Sequence, residues 1–415
     1  MIRRIATPLA FLLLTLPARA QVVTVTRIAD TTTLAPGGAT FTSFGLFPNL
    51  DGSTVAFYGT AGGSSAIYAG TGGAVSTLVP AGAANPNGGT FTSYNQSFRY
   101  DGGSAVFVGT GGTASPGVFT SNGTTTTRFA DANTAIPGGT GNFTGFSPFP
   151  SLSSGTAAFS GSGASSQQGV YTSTGGATPA VSLVADKNTA VPGGANGNFT
   201  AIGSNPSISG TTVVFRAGFG GSSLNGVYQK TGAGPLTTVA DSNTPLPNGS
   251  GNFSTTFFEP TASGSNVSFI NNNGVYALLG GTLKTIADAS TPSPNGTGNF
   301  TTISAYAPIS GTNIAFIGNT ATSKGIYLYD GTALHTLIDN TNPTFDGKTL
   351  ATTPFFLGPD GIDGNQVAFG VSFTTPSSTG VYRATFTPVP EPSALALVGV
   401  AALAPIRRRR KPLAA

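Results

Sequence analysis

The chain has 415 residues, 8% of them charged against about 25% in an ordinary globular protein, with 60 Gly, 29 Pro and no Cys. The missing cysteines exclude disulfides and thiolate metal sites, and 29 Phe and 11 Tyr at regular intervals exclude a wholly disordered chain. The formal charge of +4 is an end effect: eight of the 18 Lys and Arg lie in the two termini, so residues 21–391 hold ten basic and 14 acidic side chains, and nucleic-acid binding has no electrostatic basis.

The first twenty residues carry Arg3 and Arg4, an apolar run over 5–16, and Ala18-Arg19-Ala20, a small-x-small cleavage pattern. This is the composition of a secretory signal peptide, with signal peptidase expected to cut between Ala20 and Gln21.

Residues 21–387 repeat one unit seven times. The aromatic ending its second strand is Phe57, Phe107, Phe159, Phe215, Phe269, Phe316 and Phe369, a period of roughly 50 residues that suits a propeller blade. Its third strand carries Tyr68, Phe119, Tyr171, Tyr228, Tyr276, Tyr327 and Tyr382. Apolar and β-branched runs bounded by Gly, Asn, Ser and Pro predict strands throughout, and no stretch sustains a helical period. A fourth apolar run closes six of the units, and four strands per unit is the grammar of a blade.

The ends of the array matter most. The seventh unit runs from Gly380-Val381-Tyr382 directly into Pro388 without a fourth strand, while residues 22–28 look like a fourth strand with no unit before it. The reading is therefore an all-β, seven-bladed β-propeller closed by the N-terminal strand, which removes the sheet edges an open array would expose. The alternative is a tandem row of small β-sandwich-like modules.

Within the units, an opening Phe precedes the second-strand aromatic at one fixed interval six times: Phe41 before Phe57, Phe91 before Phe107, Phe143 before Phe159, Phe199 before Phe215, Phe253 before Phe269 and Phe300 before Phe316. The seventh unit has Thr353 at that place. The interval from second to third aromatic is not fixed: it is short from Phe269 to Tyr276 and long from Phe215 to Tyr228. That loop and the connection to the next blade share one face, the expected binding surface. Pro48-Asn49-Leu50-Asp51-Gly52 before Val55-Ala56-Phe57 resembles the repeat of TolB-like propellers, although most other units have Ser-Gly for Asp-Gly.

An Asp follows the fourth strand at Asp30, Asp131, Asp186, Asp241, Asp288 and Asp339. Asp131 with Asn133, Asp186 with Asn188 and Asp241 with Asn243 offer oxygen ligands two residues apart, a calcium pattern that lacks the further carboxylates such loops use. The competing reading, and the preferred one, is an Asx-type turn. Catalytic material is sparse: His335 is the single histidine, Glu259 has no evident acidic partner, and no Gly-x-Ser-x-Gly elbow occurs. Gly347-Lys348-Thr349 matches the end of a phosphate loop by chance. Asn142, Asn198, Asn252 and Asn299 begin Asn-x-Ser/Thr sequons before an opening Phe and read as turn residues. These features predict no enzyme, no cofactor and no nucleic-acid partner.

The chain ends in Val389-Pro390-Glu391-Pro392-Ser393, an apolar run over 393–406, and Arg407, Arg408, Arg409, Arg410 and Lys411. Fourteen residues make roughly 21 Å of helix, a short span, with the basic cluster holding the tail on the cytoplasmic side. A plain single-pass anchor would be oriented the same way. The order of these parts over 388–415 resembles the PEP-CTERM sorting signal of Gram-negative export. That resemblance implies processing by an exosortase near the Pro-Glu-Pro and a place in the cell envelope, on the surface or in the extracellular matrix, with links to exopolysaccharide and biofilm. The expected function is a structural or adhesion propeller without catalysis. A carbohydrate (exopolysaccharide)-binding propeller is the alternative, and a glycan-active hydrolase comes third.

Overall fold

The first repeat shows how the sequence builds a blade. In the computed structural model its strands are β2 (Phe41–Phe44), β3 (Asn49–Asp51), β4 (Thr54–Ala61), β5 (Ser64–Gly70) and β6 (Ser76–Val79), preceded by β1 (Gln21–Asp30). The antiparallel order is β2-β4-β5-β6, with β3 also on β4, so the innermost strand is split in two around residues 45–48. β4 is buried on both faces, because each blade packs between two others, and it therefore reads as a continuous apolar run instead of an alternating one. The structure describes residues 21–388 except 195, 222, 223, 248, 250 and 305. Ala20, Pro390, Glu391, Pro392 and Arg407 to Arg410 lie outside the described residues.

Aromatic rings set the interior of each blade. Phe41 meets Tyr68 edge-on at 4.9 Å between centroids, and Phe57 stacks on Tyr68 at 5.9 Å. Phe143, Phe159 and Tyr171 repeat this triad in the third blade. The opening ring needs glycine opposite it: a Cβ on Gly161 would lie 2.6 Å from the Phe143 ring. Between the third and fourth strands the register slips by one residue, at Ile67/Tyr68, Val170/Tyr171 and Ile326/Tyr327 among others. Such a bulge sharpens the twist of the outer strand pair.

Seven sheets of this kind form. The second pieces of the innermost strands, Asn49–Asp51, Arg99–Asp101, Ser151–Ser153, Ser207–Ser209, Thr261–Ser263, Ile309–Ser310 and Ile362–Asp363, each contact the next, and the last contacts the first. That cycle makes the seven sheets the blades of a propeller around a common axis. The fifth blade departs slightly: its sheet has four strands, and Phe257 reaches Asn271 only as an isolated bridge.

β1 is the outermost strand of the seventh sheet, beside Ser377–Pro388. Arg27 pairs with Asp346 at 2.6 Å and Asp30 with Lys348 at 2.9 Å, both across that sheet. Ile28 and Ala29 of β1 share a core with Ala368 and Val381 of the seventh blade and Phe57 of the first. Residues Val25–Thr385 form one compact unit; Met1–Thr24 with Phe386–Ala415 group separately, and there only residues 21–24 and 386–388 are described. Thr353 does not supply the seventh opening ring. Phe345, nearer the start of the unit, does, at 4.9 Å from Tyr382.

Candidate functional site

The residues flagged by the Asp-x-Asn pattern are turn-formers. Asp131 Oδ1 accepts from the Asn133 N–H at 3.0 Å and the Thr134 hydroxyl at 2.8 Å, and the Asp131 N–H donates to Thr134 Oγ1. Asp186 with Asn188 and Thr189, and Asp241 with Asn243 and Thr244, repeat the arrangement. One carboxylate oxygen in each is thus occupied by the backbone, and the three turns sit in different blade connections. Among the described residues no group of three His, Asp or Glu side chains is placed to hold a metal ion. Asp186 and Asn188 also line a loop-face cavity of about 270 Å³ with Gln167, Tyr171 and Lys187.

The other flagged residues have structural partners. His335 Nε2 lies 2.8 Å from Asp330. Lys348 binds Asp30, and Glu259 pairs with Arg216. Asn142, Asn198, Asn252 and Asn299 form isolated bridges that open the next blade.

The chemistry converges instead on the propeller axis. Each turn after an innermost strand exposes an N–H, and a short side chain of the preceding blade accepts it. Gly102 donates to Asp51 at 2.9 Å, Ser154 to Asp101 at 2.8 Å, Gly210 to Ser153 at 2.9 Å and Gly264 to Ser209 at 2.9 Å. Gly311 donates to Ser263 at 2.8 Å, Gly364 to Ser310 at 2.9 Å and Gly52 to Asp363 at 2.7 Å, which completes the circle. Asp and Ser exchange at this position because both hold an acceptor oxygen close to the backbone. The Asp-Gly and Ser-Gly pairs of the repeats are this ring.

Inside the ring lies a cavity of about 180 Å³ to which all seven blades contribute. Asp51, Asp101, Asp360 and Asp363 lie along one arc, and Ser153, Ser207, Ser209 and Thr261 along the other. Burial, followed by the charges of Asp51, Asp360 and Asp363, raises the Asp101 pKa despite the Ser154 N–H.

A second group of polar residues adjoins Asp360. Arg99 is 1% exposed and binds Asp360 through Nη1 at 2.5 Å. Arg216 grips Glu259 at 2.5 Å and the Phe257 carbonyl at 2.7 Å. Burial raises the Glu259 pKa, outweighing Arg216, Arg99 and a hydrogen bond from Asn205. The Tyr306 hydroxyl feels the charges of Glu259, Arg99 and Arg216, and its ring meets Phe47 at 5.3 Å. By bond geometry six buried atoms here lack a hydrogen-bond partner within the protein, Asn49 Oδ1, Arg99 Nε and Nη2, Asn205 Oδ1, Arg216 Nε and Glu259 Oε2, although the Asn205 amide lies close enough to the Glu259 carboxylate to lower its pKa. An unmet buried polar group costs about 1–3 kcal/mol, so these atoms call for partners from outside the chain, which bound water or another polar molecule would supply.

The repeat pattern points to the variable loop face as the binding surface and passes over this group. A signal was present: at one fixed place after the opening aromatic the units carry Phe47, Ser97, Phe149, Asn205, Glu259 and Tyr306, diverse chemistry at a constant position.

Comparison with known proteins bears on the address and the fold. Residues 388–411 match the PEP-CTERM protein-sorting motif. No curated protein sequence matches the chain. Among solved structures, the β-propeller domain of the Trilobed protease from Pyrococcus furiosus is 11% identical, with a TM-score of 0.45 over 82% of this chain and 96% of that one. A puromycin hydrolase is 13% identical, with a TM-score of 0.43 over 83% of this chain. The chain spans 52% of that hydrolase's length. TolB from Acinetobacter baumannii is 12% identical, with a TM-score of 0.36 over 69% of this chain and 64% of that one. The sorting motif implies export, exosortase processing and surface sorting in Gram-negative bacteria, and the folded part that it accompanies is a seven-bladed β-propeller.

Proposed function

We propose that the protein is a non-catalytic structural or adhesion component of the cell envelope or extracellular matrix, delivered there by signal peptidase and exosortase. The observation that carries this reading is the join of a sorting motif at 388–411 to a propeller whose connecting-loop carboxylates are engaged in turn hydrogen bonds. The test is fractionation of cells producing the chain with and without residues 388–415. The full chain is expected in the envelope or matrix fraction and the shortened chain in soluble fractions; identical distributions would refute the reading.

A second reading, carbohydrate binding, is favoured by one feature: aromatic rings, an amide, a carboxylate and guanidinium groups with unmet hydrogen-bonding capacity meet on the axis. Sugars present an apolar ring face and hydroxyl groups that donate and accept, the complement of that set.

A further inference from the structure

Three blades show what the second oxygen of the closing aspartate takes. Asp30 Oδ2 accepts from the Lys348 ammonium at 2.9 Å, Asp131 Oδ2 from the Arg128 guanidinium at 2.9 Å and Asp339 Oδ2 from the Asn295 amide at 2.8 Å. The third blade supplies no such donor. Its Asp186 Oδ1 is taken by the turn, but Oδ2 has only the Asn188 amide, 3.5 Å away at the outer limit of a hydrogen bond. The residue after the proline of the opening turn explains the difference from the sixth blade: Pro294 is followed by Asn295, and Pro137 by Gly138. The opening turn therefore sends no amide to Asp186, and a cavity of about 270 Å³ lies there, with Ile136 and Gly139 of that turn in its wall.

Lys187, next in sequence, lines the same cavity and forms no ion pair among the described residues, with Asp186 or with any other carboxylate. Tyr171 lines it too, whereas its counterparts Tyr382 and Tyr327 have their hydroxyls bonded to Asp346 and Ser293. Burial, followed by the Asp186 charge, pushes the Tyr171 pKa up to about 12, so the hydroxyl keeps a proton to donate. Gln167 is bonded to Thr140 through both ends of its amide, which fixes one wall. Ser165 and Ser166 stand at φ of 53° and 60°, a left-handed conformation that non-glycine residues hold where the surroundings over-determine it, as ligand sites do. Both serines and Asn188 are exposed, so the mouth is open to solvent as it stands. We propose that this loop-face cavity of the third blade binds a small zwitterion of the α-amino acid class, its ammonium on Asp186 Oδ2 and its carboxylate on Lys187 and the Tyr171 hydroxyl. An ion of one sign would be repelled by one of the two lining charges, and a neutral ligand would leave both without a counter-ion. The site is separate from the axis and independent of both readings above.

Isothermal titration of the full chain with L-alanine, L-leucine and L-glutamine, each beside its N-acetyl and its amide derivative, tests the assignment. At least one free amino acid is expected to bind, and removing its ammonium by acetylation or its carboxylate by amidation is expected to weaken binding at least tenfold. Asp186→Asn keeps the Oδ1 acceptor of the turn and replaces Oδ2 with a donor; it and Lys187→Ala are each expected to weaken binding at least tenfold. In Lys187→Ala the amide derivative should also bind about as well as the free acid, because the carboxylate has lost its cation. Asp288→Asn, the same change in the turn that closes the fifth blade, is expected to alter binding less than twofold. Lys187 holds no turn together, so Lys187→Ala decides the matter if Asp186→Asn melts much lower than the parent. Unaltered affinity in the third-blade variants, or an equal loss in Asp288→Asn, overturns the site. An amide derivative that binds the parent as tightly as the free acid overturns the zwitterion class in favour of a plain amine. Silence with all three amino acids overturns the inference and leaves the envelope and carbohydrate readings standing.

Discussion

Asp30 and Asp101 show how position decides what a carboxylate does. Burial opposes ionisation of Asp30, but hydrogen bonds from Thr32 and Lys348 outweigh it and hold its pKa well below the usual range. Asp288 is lowered too, by Ser290 and Thr291 against burial, and Asp346 by Arg27 and Tyr382 against burial. Asp101 and Glu259 are raised, in both cases chiefly by burial. The signs are opposite. Lowered carboxylates contribute stability that is present above the unfolded pKa of about 4 and lost as pH falls through the folded values. Raised ones are destabilising when ionised, and that burden is relieved first as pH falls. The melting temperature is therefore expected to hold or rise slightly from pH 7 to about 5 and to drop steeply below about 4. Asp30→Asn should flatten the acid limb; a parent protein with a level profile down to pH 2.5 would contradict the assignment. The turn role of Asp30 and Asp288 is legible in the sequence, because Asp-x-x-Thr acts over a few neighbouring positions, whereas the partners of Asp346 are remote. The raised values of Asp101 and Glu259 are not, because their causes lie on other blades.

At the level of elements, a blade is specified by its rings and by the glycines that make room for them. Carrying the fixed interval of the other six units back from Phe369 puts the seventh opening ring at the Thr353 position. The structure uses Phe345, because the seventh innermost strand is the longer Lys348–Phe356 paired with Thr344–Phe345, and that short strand presents the ring. Phe345 is half-buried, so Phe345→Ala should cost about 2 kcal/mol, below the roughly 3–5 of a fully enclosed phenylalanine. Thr353→Ala, at an exposed site, should stay within about 0.5 kcal/mol. Urea unfolding of the two variants separates these values, and the reverse ranking would show that Thr353 is the true counterpart. The split of the innermost strand has a local signal, since Gly45 and Pro48 bound the break, but that both pieces pair with β4 is decided only by the sheet.

Across the whole molecule, seven equal units need a device that joins first to last. The contact cycle and the hydrogen-bond circle from Asp51 to Gly52 run through every blade. β1 adds Arg27–Asp346 and Asp30–Lys348 to the seventh sheet. Deleting residues 22–30 removes both pairs and uncovers the edge of Ser377–Pro388, so the variant should melt far below the parent and aggregate. A variant melting like the parent would deny β1 a role in holding the ring. The number of blades, the place of the missing outer strand and the export address can all be read from the chain alone, because strand period, turn residues and terminal motifs are local signals. What meets on the axis cannot. Arg99 binds Asp360 of the last unit, and Phe47 of the first unit meets Tyr306 of the sixth. A ring makes neighbours of residues at like positions in different repeats, and no pattern within one repeat states which of them will converge.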